Sequence, residues 1–186
     1  MISLTFLMVF SFMKSKNKTE IINIITEDLL RYTSESSFKS ILRTLRKNES
    51  FNFSFWFRLC SYENKWIRKL ARKIYKNKCK KYNIYLPVET RIKGGLYIGH
   101  VSVGGICINP NTIIGKNFSL SHQVTIGSNK QNPAIIGDNV YIAPHVCVVE
   151  NVIIGNNIKI GAGAVVIHDI PDNVTAVGVP ARVVKR

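Results

Sequence analysis

Residues 135–166 read IIGDNVYIAPHVCVVENVIIGNNIKIGAGAVV. Ile136, Ile142, Val148, Ile154, Ile160 and Val166 fall six residues apart. A helix repeats its buried face at three- and four-residue steps and a strand at two, so a strict period of six is neither alone. It describes a short strand and a tight corner, repeated, with the anchor side chain pointing inward. The frame runs upstream through Ile92, Ile98, Ile108, Ile114, Leu120 and Ile126. Four extra residues interrupt it twice, between Ile98 and Ile108 and between Ile126 and Ile136. The residue after an anchor is usually small, as at Gly99, Ser121, Ala143 and Gly161. Pairs such as Lys116-Asn117, Asp138-Asn139 and Asn156-Asn157 supply corners that need left-handed backbone angles. Three hexads make one triangular coil, so roughly twelve make about four coils, each burying its anchors by stacking on the next.

Ahead of the repeat the composition changes. The chain has 186 residues, 46% of them hydrophobic, which is enough to bury a sizeable core and argues against disorder. Its net charge is +15. Residues 1–91 hold 19 Lys and Arg against 7 Asp and Glu, a net +12, whereas residues 92–186 hold 7 against 4, a net +3. The sequence therefore divides near Pro87 into a basic helical region, 1–86, and a nearly neutral repeat region, 87–186. Thr19 reads as an N-cap before EIINIITEDLLRY, and Ser36 or Ser37 as a cap before FKSILRTLRK. FNFSFWFRLCSY is dense in aromatics and reads as buried. The clearest helix spans 65–81, with Trp66, Ile67, Leu70, Ile74 and Tyr75 as its apolar stripe and Lys and Arg over much of the rest. Such a basic amphipathic helix suits an anionic membrane surface or a polyanionic acceptor, or is simply a solvated face. No nucleic-acid-binding motif accompanies the charge.

No apolar run reaches the length of a membrane span. Residues 1–13, MISLTFLMVFSFM, precede Lys14, Lys16 and Lys18, the reverse of the charge order of a signal peptide. A short interfacial anchor, a buried segment and a true start at Met13 all remain open readings. Cys60, Cys79, Cys107 and Cys147 form no CxxC pair and read as free thiols of a reducing cytoplasm.

The segments IIGKNF, IIGDNVYIAP and VIIGNNIKIGAGAVVIHDIPDNVTAVGVPARVV resemble the hexapeptide-repeat acyltransferases, which fold as a left-handed parallel β-helix. Within that group, GLYIGHVSVGGICINPNTIIGKN and the following SLSHQVTIGSN look like the serine acetyltransferase branch. The resemblance covers about residues 85–186. It implies acetyl transfer from acetyl-CoA to a hydroxyl, in a homotrimer or dimer of trimers with active sites between neighbouring β-helices.

Acetyl transfer needs a base for the acceptor proton and donors for the developing oxyanion, and histidine is the natural base near neutral pH. By resemblance His100 is the catalytic histidine. Spacing adds His122: His100 is two past Ile98 and His122 two past Leu120. If the first four-residue excess loops out near Gly104-Gly105, the two stack one coil apart, at ~4.8 Å spacing. His145 is offset by one place and reads as structural. Ala143, Gly161, His168 and Arg182 are coenzyme-contact candidates by their place in the motif. The second excess, around 128–133, predicts a loop over the site, with Lys130 helping to close it. Trimeric β-helix carbonic anhydrases hold zinc in a similar fold, but their histidine pair five apart is missing, so no metal is expected.

The sequence departs from the serine acetyltransferase pattern beside the base. That family usually has Asp directly before the histidine, where this chain has Gly99, and an orienting Asp fifteen residues upstream, where it has Tyr85. A second histidine before a proline is replaced by Asn132 before Pro133. Glu89 is then the nearest carboxylate available to orient His100, and Asn132 and Glu89 are the acceptor-side candidates. Losing the partners for a charged amine and carboxylate disfavours free L-serine and suits a sugar hydroxyl. The GH pattern behind a basic helical region resembles enzymes that decorate surface polysaccharides (capsule or O-antigen), which implies that acceptor. The 65–81 helix would then hold an acidic glycan, or hold a cytoplasmic enzyme peripherally at the inner membrane face. The alternatives are a true serine O-acetyltransferase of cysteine biosynthesis and a non-catalytic trimeric scaffold.

Overall fold

The computed structural model describes residues 16–129 and 133–185. Among the described residues four helices precede the strands: α1 (Lys16–Leu29), α2 (Phe38–Lys47), α3 (Glu49–Leu59) and α4 (Lys65–Tyr82). Local chemistry sets their starts. Ser37 Oγ accepts the Ser40 N–H, Asn48 Oδ1 accepts the Phe51 N–H, and Asn64 Oδ1 accepts those of Trp66 and Ile67, each satisfying orphan donors of a first turn. Asn83 ends α4 in the left-handed conformation. Thr19 is not a cap, because the helix already runs from Lys16 and Thr19 lies inside it. α3 is buried from Phe53 to Leu59 and forms the centre on which α1, α2 and α4 pack.

The remainder is a left-handed parallel β-helix of about four coils. Its first face stacks β1 (Ile84–Tyr85), β4 (Ile106–Ile108), β7 (Thr125–Gly127), β10 (Cys147–Val149) and β13 (Val165–Val166). The second stacks β2 (Arg91–Ile92), β5 (Ile113–Ile114), β8 (Ile135–Ile136) and β11 (Ile153–Ile154). The third stacks β3 (Tyr97–Ile98), β6 (Ser119–Leu120), β9 (Tyr141–Ile142), β12 (Lys159–Ile160) and β14 (Thr175–Val177), closed by the antiparallel β15 (Arg182–Lys185). Every six-residue anchor is buried, none more than 8% exposed. β-structure begins at Ile84, and one continuous apolar core runs from the helices through all coils. No helix among the described residues is long and apolar enough to cross a membrane.

Asparagine holds the corner between the second and third faces. Asn117, Asn139, Asn157 and Asn173 all take φ between 55° and 61°. Their side chains form a ladder, Nδ2 to Oδ1, at 2.9, 2.9 and 2.8 Å. Asparagine tolerates that conformation better than other non-glycine residues.

The helices close the open end of the solenoid. A first coil leaves strand-edge amides and carbonyls without a neighbour. Asp28 Oδ1 accepts the Leu96 N–H at 2.8 Å, and Tyr32 Oη accepts that of Ile98 at 3.1 Å. Arg58 donates to the Ile92 and Lys93 carbonyls at 2.6 and 2.8 Å, while its Nε and Nη2 hold Asp28 at 2.8 and 3.1 Å. Burial pushes the Asp28 carboxyl above its ordinary value, against the pull of the Arg58 charge.

The 65–81 helix is oriented differently from its sequence reading. Ile67, Ala71, Tyr75 and Tyr82 form the buried stripe, whereas Trp66 is 81% exposed. One residue is about 100° of helix rotation, so burial of the Ile67 side turns Trp66 out to solvent.

Candidate active site

The third face carries its strands into one corner column. β3 pairs with β6 so that Ile98 faces Leu120, and β6 with β9 so that Leu120 faces Ile142. Gly99, Ser121, Ala143 and Gly161 continue those rungs, each donating its N–H to the carbonyl one coil on, at 2.7–3.0 Å. Beyond them the chain turns and presents the histidines.

His100 and His122 stack as their spacing predicts, with ring centroids 5.6 Å apart and planes at 85°. The first four-residue excess is what permits it. The chain turns at Val103 N–H to His100 O, passes Gly104 and Gly105 at φ 70° and 72°, and rejoins the ladder at β4. A Cβ on Gly104 would strike the Tyr82 carbonyl oxygen, so the end of α4 packs directly on this loop. The Gly105 N–H also donates to Asn83 O at 3.0 Å.

His145 joins them, although its offset of one place set it apart in the sequence. Its ring lies 5.5 Å from that of His122, at 80°. The physical reason is the corner itself. The first coil turns with its left-handed residue two places past the anchor, at His100 (φ 55°); the later coils turn three places past, at Gln123, His145 (φ 61°) and Gly163. Position within the hexad therefore does not map onto the column. The Gly163 N–H donates to Pro144 O at 2.9 Å, and nothing lies within 4 Å of where its side chain would be. The column is thus three imidazoles followed by an open space.

Ser121, buried, places its Oγ 3.2 Å from His122 Nδ1. With the hydroxyl donating, the proton of neutral His122 resides on Nε2, which makes that nitrogen a donor. Among the described residues no carboxylate hydrogen-bonds to His100, and no group of three or more His, Cys, Asp or Glu is placed to hold a metal ion.

The other expected residues divide between two corners. Ala143 and Gly161 adjoin the column, but Val177 occupies the space over Gly161, with Cγ1 2.6 Å from a built Cβ. Gly163, rather than Gly161, offers open backbone. Arg182 is exposed and pairs in register with Val177, so it lies at the same end of the third face. Glu89 and His168 sit between the first and second faces, a different corner of the same chain. Glu89 lines a cleft of about 580 Å³ with Ile21, Ile24, Phe57 and Ile113, away from His100. Lys130 and Asn132 lie outside the described residues.

Residues 133–168 match the family described as bacterial transferase hexapeptide (six repeats). Over these residues the chain is similar to the hexapeptide-repeat transferases. A serine acetyltransferase of Buchnera aphidicola is 33% identical over 110 residues, 56% of this chain and 41% of that one. The galactoside O-acetyltransferase of Escherichia coli is 42% identical over 88 residues, 43% of each chain. The structure of soybean serine acetyltransferase complexed with serine superposes with a TM-score of 0.71 at 27% identity, covering 88% of this chain and 69% of that one. The chain spans less than half the length of these two curated relatives.

Proposed function

We propose that the protein transfers an acetyl group from acetyl-CoA to a hydroxyl, acting as a homotrimer in the cytoplasm. The observation that carries this reading is the His100–His122 pair at one exposed corner of a hexapeptide β-helix. His100 takes the acceptor hydroxyl proton as its oxygen attacks the thioester carbon. The oxyanion that forms meets the N–H of His122, held by Ser121. As the carbon–sulfur bond breaks, protonated His100 returns its proton to the departing thiolate. The gap at Gly163 lets the extended arm of the coenzyme pass below the imidazoles, and Arg182 meets a phosphate.

The relatives favour L-serine as acceptor over the sugar expected from the sequence. Serine acetyltransferases are among those matched both in sequence and in structure. One feature supports the second reading: Gly99 leaves His100 without an adjacent carboxylate to pair an amino group, and a galactoside O-acetyltransferase shares the repeat. One assay separates the two: coenzyme A release from acetyl-CoA with L-serine and with galactosides, in wild type and His100→Asn. Turnover of L-serine alone establishes the first reading, and turnover of galactosides alone the second. Absence of both, with no acetyl-CoA binding, leaves a scaffold.

A further inference from the structure

We infer that the outer face of α4 is a docking surface for an anionic lipid bilayer, with Trp66 inserting at the headgroup level. The helix carries nine Lys and Arg and no Asp or Glu. Its buried stripe of Ile67, Ala71 and Tyr75 fixes which side faces out. At about 100° per residue, Trp66, Lys69, Lys73, Lys76 and Lys80 share the opposite side, along about 21 Å of helix. All five are exposed, Trp66 by 81%. Leaving a tryptophan in water while four lysines flank it in a row serves no core, and the packing of α4 does not need it.

Three features choose the occupant. The cations of this face are all lysine, which snorkel and act as point charges, whereas the two arginines of the helix are turned to its own domain. Arg68 donates to the Tyr62 carbonyl and Arg72 to that of Cys60. Bidentate forks of the kind that read nucleic-acid phosphates are therefore absent from it. Tryptophan, apolar in body with one polar N–H, is at home where hydrocarbon meets headgroups. A second copy of this chain would bring lysine against lysine, since among the described residues only Lys81 of the helix is in an ion pair, with Glu49. The diffuse negative charge of an acidic lipid surface matches a lysine row of this kind.

The full chain carries its own reporter, because it has two tryptophans and Trp56 is buried. Mixed with phosphatidylcholine vesicles that contain phosphatidylglycerol, the protein should co-sediment and its emission should shift to the blue. Neutral vesicles should do neither, and added salt should weaken the binding. Trp66→Ala should remove the shift, and the Lys69→Glu/Lys73→Glu pair should weaken partitioning by about tenfold or more, with circular dichroism unchanged. Equal partitioning to neutral vesicles, no partitioning at all, or retention on heparin or RNA matching that on vesicles without a shift in Trp66 emission would each overturn the proposal.

Discussion

The His145 ring packs edge-to-face on His122, with centroids 5.5 Å apart and planes at 80°. His122 in turn stands edge-to-face with His100, so the orientation of the middle ring depends on both neighbours. Asparagine isolates the loss of a ring, because it tolerates the positive φ that both outer histidines adopt. His100→Asn should lower kcat/KM by about 10²–10⁴, the usual worth of a general base. His145→Asn should lower kcat by about tenfold and shift the pH–rate profile, while leaving the melting temperature within about 2 °C of wild type. Steady-state kinetics across pH, beside a thermal melt, checks both.

The asparagine ladder makes a stability prediction. Asn139 spans from Asn117 to Asn157 and holds φ at 58°. Asn139→Ala loses two exposed side-chain hydrogen bonds and puts alanine, which tolerates the left-handed region less well than asparagine, at that φ, for about 2 kcal/mol in all. Asn139→Gly keeps the backbone unstrained and should lose about half of that. Urea titrations of the two variants separate the backbone part from the side-chain part.

These two corners also show which parts of the fold leave a trace in the sequence. The coil is legible because its anchor side chains sit on one inner line, and burial of Ile, Leu and Val leaves a six-residue trace whatever the corners do. The His100–His122 pair is legible for the same reason, once the excess at Gly104-Gly105 is looped out. His145 escapes because it lies three places past its anchor Ile142, whereas His100 and His122 lie two past theirs, although the equal offsets of His145 and Gly163 from their anchors carry the signal. Trp66 escapes because helical spacing defines a stripe but not which flank a neighbour covers. Glu89 is near His100 in sequence yet a corner away in space, since half a coil separates them.

Thiol chemistry offers an independent check on the packing. Burial pushes the Cys60 thiol up to about 12, and its Sγ donates to the Trp56 carbonyl at 3.2 Å. At pH 8 about one Cys60 in 10⁴ is then thiolate, the reactive form. Cys107 is exposed on the first face. A disulfide reagent should therefore label Cys107 rapidly and Cys60 only with unfolding. Mass spectrometry of peptides after timed labelling reads the order, and early modification of Cys60 would mean that α3 is less tightly packed than described.

The buried Asp28–Arg58 pair carries the join between helices and solenoid. Arg58 is 8% exposed and Asp28 1%, and between them they satisfy the Leu96 amide and the carbonyls of Ile92 and Lys93. Removing either partner leaves a charge buried without its counter-ion, which typically costs about 3–5 kcal/mol. Asp28→Ala and Arg58→Met should each destabilise by that amount. The double variant should lose about as much as one of them rather than the sum, because the second substitution removes the stranded charge. It should not recover fully, because the edge amide and carbonyls of the first coil still lack partners, at about 1–3 kcal/mol each where water cannot reach them. Leu96 directly precedes β3 (Tyr97–Ile98) and His100 lies two residues after it, so a loosened first coil reaches the histidine column. All three variants should lose activity on warming before the coils themselves unfold. Parallel urea unfolding and activity-against-temperature curves would show that order, and a strictly additive double variant would remove the pair from its place at the join.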